Sequence, residues 1–162
     1  MSKFFQQAWA AFFTQTAKHS INKGCSDFFK TASGAILKHT DWSYECQQTD
    51  NGCLLKPDFC NMPYRNSFVP EIDVVLSFHE EKTILHMSGR PVRSVRIFMA
   101  LWSAFLLMLE VLLIVLAVGS GMDSIFPLFI PIGMIVFGYL LCKLATKAAF
   151  DSVVKAIKRE YP

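Results

Sequence analysis

Two long apolar runs dominate the pattern of the chain. Ile97 to Val118 is 22 residues with one charge, Glu110, and as a helix it would measure about 33 Å. Ser124 to Cys142 is 19 residues with no charge, about 28 Å as a helix. Each is long enough to cross a bilayer. The link Gly119-Ser120-Gly121-Met122-Asp123 leaves no room for a domain between them, so the pattern predicts an antiparallel transmembrane hairpin.

The other segments carry shorter periods. Lys3 to Ala17 gathers Phe4, Phe5, Ala8, Trp9, Phe12 and Phe13 on about half of a helical wheel, which predicts an aromatic amphipathic helix. It suits the inner leaflet or a protein surface, and it lacks the Lys/Arg comb usual for lipid-bound helices. A second helix is expected after Ser26, through Phe28, Phe29, Ala32, Ile36 and Leu37. From Asp41 the period shortens to two. Trp42, Tyr44 and Cys46 alternate with polar residues before the turn sequence Thr49-Asp50-Asn51-Gly52, and Cys53-Leu54-Leu55 returns from it. Phe68 to Phe78 alternates, with Phe68, Ile72, Val74, Leu76 and Phe78 on one face and Glu71, Asp73, Ser77 and His79 on the other. Thr83 to Met87 is its return strand, making a small antiparallel sheet of three or four strands. At the end, Phe150, Val153, Val154, Ile157 and Tyr161 form an apolar stripe on a basic helix, suited either to anionic headgroups or to the sheet.

The expected fold class is therefore α+β: N-terminal amphipathic helices and a small antiparallel sheet, a two-helix transmembrane hairpin, and a basic C-terminal helix. By residue number these are a helix-plus-sheet module at 1–96, the hairpin at 97–142 (spans 97–118 and 124–142), and the final helix at 143–162.

Charge sets the orientation. Arg90, Arg93 and Arg96 precede the first span, Lys143, Lys147, Lys155, Lys158 and Arg159 follow the second, and the connecting link has no cation. The positive-inside rule then puts both termini in the cytoplasm and these eight cations near the membrane surface. Gln6, Gln7 and Thr14 interrupt the N-terminal aromatic stretch before it can form a secretory apolar region. Sixteen Lys+Arg against thirteen Asp+Glu give a net charge of +3, too weak to drive nucleic-acid binding by bulk charge. The hydrophobic share of 52% and mean hydropathy of +0.34 exclude a disordered chain.

A segment from Tyr64 to the C-terminus carries a recognisable order. Tyr64-Arg65-Asn66-Ser67-Phe68-Val69-Pro70 is followed by a strand hairpin, a Phe98-Met99 and Trp102 entry to the first span, and Phe137-Gly138-Tyr139-Leu140 in the second. This resembles a group of small uncharacterised bacterial inner-membrane proteins. The resemblance implies that location and the order sheet, then spans; it implies no activity, cofactor or catalytic residue, and the first 60 residues lie outside it.

Few residues look chemically out of place. A carboxyl within a span costs about 2.5–3.5 kcal/mol on insertion scales, which makes Glu110 the main functional candidate. Counting out from the link, Glu110 lies level with Ile132, beside Pro131 and Gly133. Pro131 and Pro127 leave the carbonyls of Pro127 and Asp123 without helical donors, so a protonated Glu110 could bond to this kinked region. It could also contact another copy or another membrane protein, or line an ion or proton path in an oligomer. Arg65 is the only cation between Lys56 and Lys82 and a candidate anion or partner contact, although a strand-entry turn explains the same cluster. His79 and His86 are expected near each other across the strand hairpin. His39, Cys46, Cys53 and Cys60 recur every seven residues, a four-ligand set for zinc. Without C-x2-C pairs, and in a reducing compartment, ordinary small apolar thiols fit the cysteines better.

The chain has no nucleotide-binding loop, no G-x-S-x-G, no H-E-x-x-H and no C-x-x-C, which points away from an enzyme and gives no reason to expect a cofactor. The expected role is binding: an assembly, regulatory or immunity-type protein working through a membrane-tethered cytosolic module. Its expected partners are the bilayer and another membrane or cytosolic protein, or itself as a homo-oligomer. The alternative is an oligomeric channel-forming or membrane-perturbing protein with Glu110 in the assembly, and a third is a thiol or zinc enzyme.

Overall fold

The computed structural model describes residues 12–21, 25–40, 42–62, 68–79, 82–120 and 129–162. They form strands β1 (Gln15–Ile21), β2 (Tyr44–Thr49), β3 (Gly52–Pro57), β4 (Glu71–His79) and β5 (Lys82–Arg90). The helices are α1 (Cys25–Thr40), α2 (Arg93–Ser120) and α3 (Ile130–Glu160). The class is α+β, and the residues fall into two units, one of 1–92 with 145–162 and one of 93–144.

In the first unit the five strands make one antiparallel sheet in the order β1-β5-β4-β3-β2. The turn at Asp50-Asn51 pairs Thr49 with Gly52, as its sequence predicts. Gly52 has to be glycine because a Cβ there would lie 1.9 Å from the carbonyl oxygen of Val74 on β4. Alternation holds on β4 and β5. Ile72 and Val74 of β4, and Leu85 and Met87 of β5, are buried, while Asp73 and Val75 face out. Strand β4 starts at Glu71 instead of Phe68.

Strand β1 corrects the sequence-based expectation. The predicted helix over Lys3 to Ala17 gives way to extended chain at Gln15, and only Phe12 and Phe13 of its described part are helical. Residues 1–11 of that helix lie outside the described residues. Ala17, His19 and Ile21 share the core face of β1, opposite Met87, Leu85 and Thr83. A sheet of five strands rather than three or four follows from this addition.

The inner face of the sheet is covered by α1 and the last part of α3, the helix-on-antiparallel-sheet arrangement of α+β domains. Phe28, Ala32, Ala35 and Ile36 of α1 are buried at the spacing of one helical face. Phe150, Val153, Val154, Ile157 and Tyr161 join them with Ile72, Val74 and Leu85 in one hydrophobic cluster. Of the two surfaces open to this stripe on sequence grounds, the sheet takes it. Phe150 sits directly over β5, where a Cβ on Gly89 would lie 2.3 Å from the ring. Tyr161 fastens the end: its ring lies 5.3 Å from that of Phe28, its hydroxyl bonds Thr31 Oγ1, and its carbonyl accepts from His19 Nε2.

The second unit holds α2 and the first part of α3. Both helices are long and apolar enough to span a membrane, with windows of mean hydropathy 2.6 and 1.5. Gly138 of α3 faces Met99 and Trp102 of α2, at 3.6 and 4.0 Å from where its Cβ would be. Residues 143–160 of the expected basic C-terminal helix continue α3, which ends at Glu160.

Candidate functional site

Two places gather polar side chains. The first lies between α2 and α3. Ser103 Oγ donates to the Met99 carbonyl at 2.8 Å and lies 3.0 Å from the Tyr139 hydroxyl. This contact sets the register of the antiparallel pair. Two turns on from Ser103 is Glu110, and two turns back from Tyr139 is Ile132, so the two stand at about the same level. Glu110 is only 9% exposed, and its Oε2 is buried without a hydrogen-bond partner. Leu106, one turn away, is also buried.

The structure changes the meaning of Pro131. The apolar pattern predicts a span running from Ser124 with a kink at the prolines, but the α-helix α3 is described from Ile130, with Phe129 in a tighter 3-10 turn before it. Pro131 is therefore in the first turn, where an N–H has no intrahelical partner to lose, and it starts the helix instead of bending it. Pro131 is buried, while Gly133 is exposed with nothing within 4 Å of a Cβ there. Glu110 thus lies level with the N-terminal turn of α3, the positive end of its dipole. Pro127 and the link to Asp123 lie outside the described residues.

The second place is an open cleft of about 280 Å³ in the sheet unit, between the end of α1 and the last turns of α3. His39, Thr40 and Trp42 line one side and Ser152, Lys155 and Arg159 the other. Lys155 and Arg159 stand one turn apart and have no ion-pair partner among the described residues. Beside them, Glu160 Oε2 lies 3.3 Å from both Lys38 Nζ and His39 Nε2. The hydrogen bond from Lys38, then that from His39, holds the Glu160 carboxyl below its ordinary range. The sequence shows Lys155 and Arg159 on one helical face, but nothing local pairs that face with His39 and Trp42, more than 110 residues earlier.

Arg90 pairs with Glu71 at 3.4 Å across β4 and β5. Arg93, Lys147 and Lys158 are exposed, Arg96 and Lys143 half-buried, and Arg96 Nε is buried without a partner. Arg65, with Tyr64, Asn66 and Ser67, lies outside the described residues. The four-residue zinc set is dispersed: Cys53 is buried on β3, Cys46 pairs in register with Leu55, Cys60 is exposed after β3, and His39 engages Glu160. Among the described residues no group of three His, Cys, Asp or Glu could hold a metal. Cys46, Cys53, Cys60 and Cys142 are thiols. His79 and His86 are not neighbours. His79 is opposite Lys82 and His86 opposite Val75, about 13 Å apart along the sheet.

No known protein family, curated protein or solved structure matches the chain.

Proposed function

We propose that the chain is an integral protein of a bacterial inner membrane, in which α2 and α3 form a two-span hairpin that tethers the sheet unit at the cytoplasmic surface. Its role is non-enzymatic binding, as an assembly, regulatory or immunity-type partner. The observation that carries this is the outward apolar surface of α2, whose most apolar window is only 6% buried. Leu101, Met108 and Val115 are each more than 60% exposed, a surface far larger than a soluble monomer leaves in water. The sheet unit, by contrast, closes its own core. Trp102 and Phe98, with rings 6.4 Å apart near the start of α2, suit the aromatic belt of an interface, and the surrounding cations favour cytoplasmic termini.

Carbonate extraction of membranes, combined with labelling of exposed Cys60 by an impermeant maleimide, tests this reading. The chain should stay in the membrane pellet and Cys60 should react only after the cytoplasmic side is opened. Release into the carbonate supernatant would sink the membrane role, and labelling of intact cells would invert the topology. Light scattering in mild detergent then separates a monomer or a one-to-one complex, expected here, from a defined homo-oligomer.

The buried, unpartnered Oε2 of Glu110 favours one second reading, an oligomer that perturbs the membrane around this carboxyl. In that case expression of the native chain collapses the membrane potential and Glu110→Gln restores it. An intact potential with the native chain removes this reading.

A further inference from the structure

We propose that the cleft between the end of α1 and the last turns of α3 binds a phosphate-type oxyanion. The proposal rests on the binding role given to the sheet unit and names the ligand chemistry; it does not depend on where the membrane lies.

The argument starts from the donors the cleft has left over. Thr40 Oγ1 donates to the Ile36 carbonyl at 2.7 Å and accepts from the Trp42 N–H at 3.3 Å. Ser152 Oγ donates to the Ala148 carbonyl at 3.0 Å. Both hydroxyl protons are therefore committed to backbone, and His39 Nε2 is engaged with Glu160. What remains among these side chains is the Trp42 indole N–H together with the Lys155 ammonium and the Arg159 guanidinium, the two cations exposed and without ion-pair partners among the described residues. A neutral ligand would find few partners here. An oxyanion finds a planar fork of donors next to a point charge, the pairing that suits phosphate.

Among the described residues, the carboxylates nearby do not cancel this. Glu160 is satisfied by Lys38 and His39. Asp151 is exposed one turn before Lys155 and is not ion-paired with it. Asp41 lies outside the described residues. At roughly 30 Å³ per water, the 280 Å³ of the cleft has room for a phosphate with a small substituent, and Trp42 supplies an apolar wall beside it.

The test uses the full chain in phosphatidylcholine nanodiscs, titrated with inorganic phosphate against chloride at matched ionic strength and followed by calorimetry. Saturable one-site binding is expected, weakened about tenfold by Lys155→Gln and by Arg159→Gln, since each removes a charge-assisted contact. Lys158→Gln, on the same helix but not lining the cleft, should leave affinity within about twofold, as expected for a charge screened from the ligand by solvent. Asp41→Asn should leave it unchanged or tighten it. The absence of saturation overturns the proposal, as does a loss with Lys158→Gln equal to that with Lys155→Gln, which would mean bulk charge. Weakening by Asp41→Asn also overturns it. Slow alkylation of buried Cys53 in each variant shows that the sheet unit is folded, and carbonate extraction reads the membrane role separately. Adding phosphatidylglycerol to the nanodiscs assigns the source. A raised apparent Kd for phosphate identifies a lipid headgroup as the occupant, and an unchanged Kd identifies a free anion.

Discussion

The contact between Gly89 and Phe150 lends itself to a quantitative test, because it holds the end of α3 on the sheet. A Cβ on Gly89 would fall 2.3 Å from Phe150 Cδ2 and 2.9 Å from Cε2. The backbone angle at Gly89 is one that other residues adopt, so the obstacle to alanine is the ring alone. That ring is 2% exposed and packed within the buried cluster. Gly89→Ala should then cost about 1–3 kcal/mol by overpacking. Phe150→Ala should cost about 3–5 kcal/mol through lost burial and a cavity. In the double variant the new methyl occupies space the ring has left, so the two costs do not add. A coupling of about 1–3 kcal/mol in favour of the double variant is expected. The assay is alkylation of Cys53, fully buried in the same cluster, followed peptide by peptide with exposed Cys60 as an internal reference. When opening is fast and reversible, the Cys53 rate follows the open population, about tenfold for each 1.4 kcal/mol. Gly89→Ala should raise it by roughly 5- to 150-fold. If Gly89→Ala leaves the rate unchanged, or the two substitutions add to within about 0.5 kcal/mol, Phe150 is not seated on β5 and α3 does not close the core as described.

Three further outcomes follow from single contacts. Gly52→Ala should damage the sheet more than Gly89→Ala, because its Cβ would meet the Val74 carbonyl at 1.9 Å, and the backbone of a paired strand cannot swing aside as a ring can; Cys53 alkylation reads this too. The Tyr44 hydroxyl donates to the Pro70 carbonyl at 3.0 Å in a buried setting, so Tyr44→Phe should cost about 1–3 kcal/mol, measured by denaturant unfolding. Burial pushes the Tyr44 phenol above its ordinary 10, so its stabilisation is full below that pH and is lost as pH rises beyond it. Alkaline unfolding of the native chain should contain a component that Tyr44→Phe lacks. Glu160 shifts the opposite way. Its carboxyl lies below the ordinary 4.5 through Lys38 and His39, so its contribution is present above that pH and lost as pH falls through the lowered value. The melting temperatures of the native chain and Glu160→Gln should differ slightly at neutral pH, converge in acid and approach each other in high salt.

How much of this was legible in the sequence depended on how local each signal was. The apolar run of α2 and the Asp50-Asn51 turn are complete within a few neighbours, and both stand where the pattern puts them. The alternation of β4 is equally local, and Ile72, Val74 and Asp73 take the faces read for them, while Phe68, read on the core face, is exposed ahead of the strand. Strand β1 was not legible because, of its core-facing residues, only Ile21 is a large hydrophobe, while Ala17 and His19 carry little signal. The aromatic residues before it lent their helical period to Gln15 and Thr16. What makes Gln15–Ile21 a strand is β5 alongside it, 62 residues later at the nearest pair, Ile21 with Thr83. The apolar stripe of α3 was visible, but not its destination, since lipid and a sheet face ask for the same residues. The cleft could not be read at all, because its two sides come from opposite ends of the chain.

Pro131 shows how one boundary can reverse a local argument. With a span starting at Ser124, proline is a defect in the helix interior, and Glu110 is the donor that repairs it by bonding a released carbonyl. With α3 starting at Ile130, the same proline sits in the first turn and releases nothing. The groups at that level without intrahelical partners are then N–H donors rather than carbonyls. The complement to such donors is an acceptor, and the helix dipole there favours negative charge. Two roles then stand for Glu110, an anion at the positive end of α3 and a neutral donor to a carbonyl. Glu110→Gln separates the two: it keeps a carbonyl acceptor and an N–H donor but removes the charge. If Glu110 serves as a neutral donor to a carbonyl, Gln replaces it with little loss. If it serves as an anion at the start of α3, Gln should lower the thermal stability of the hairpin in detergent by about 0.3–2 kcal/mol, while Glu110→Asp retains part of it. Equal stability of the native chain and Glu110→Gln would return the carboxyl to the neutral role that the unbroken span suggested.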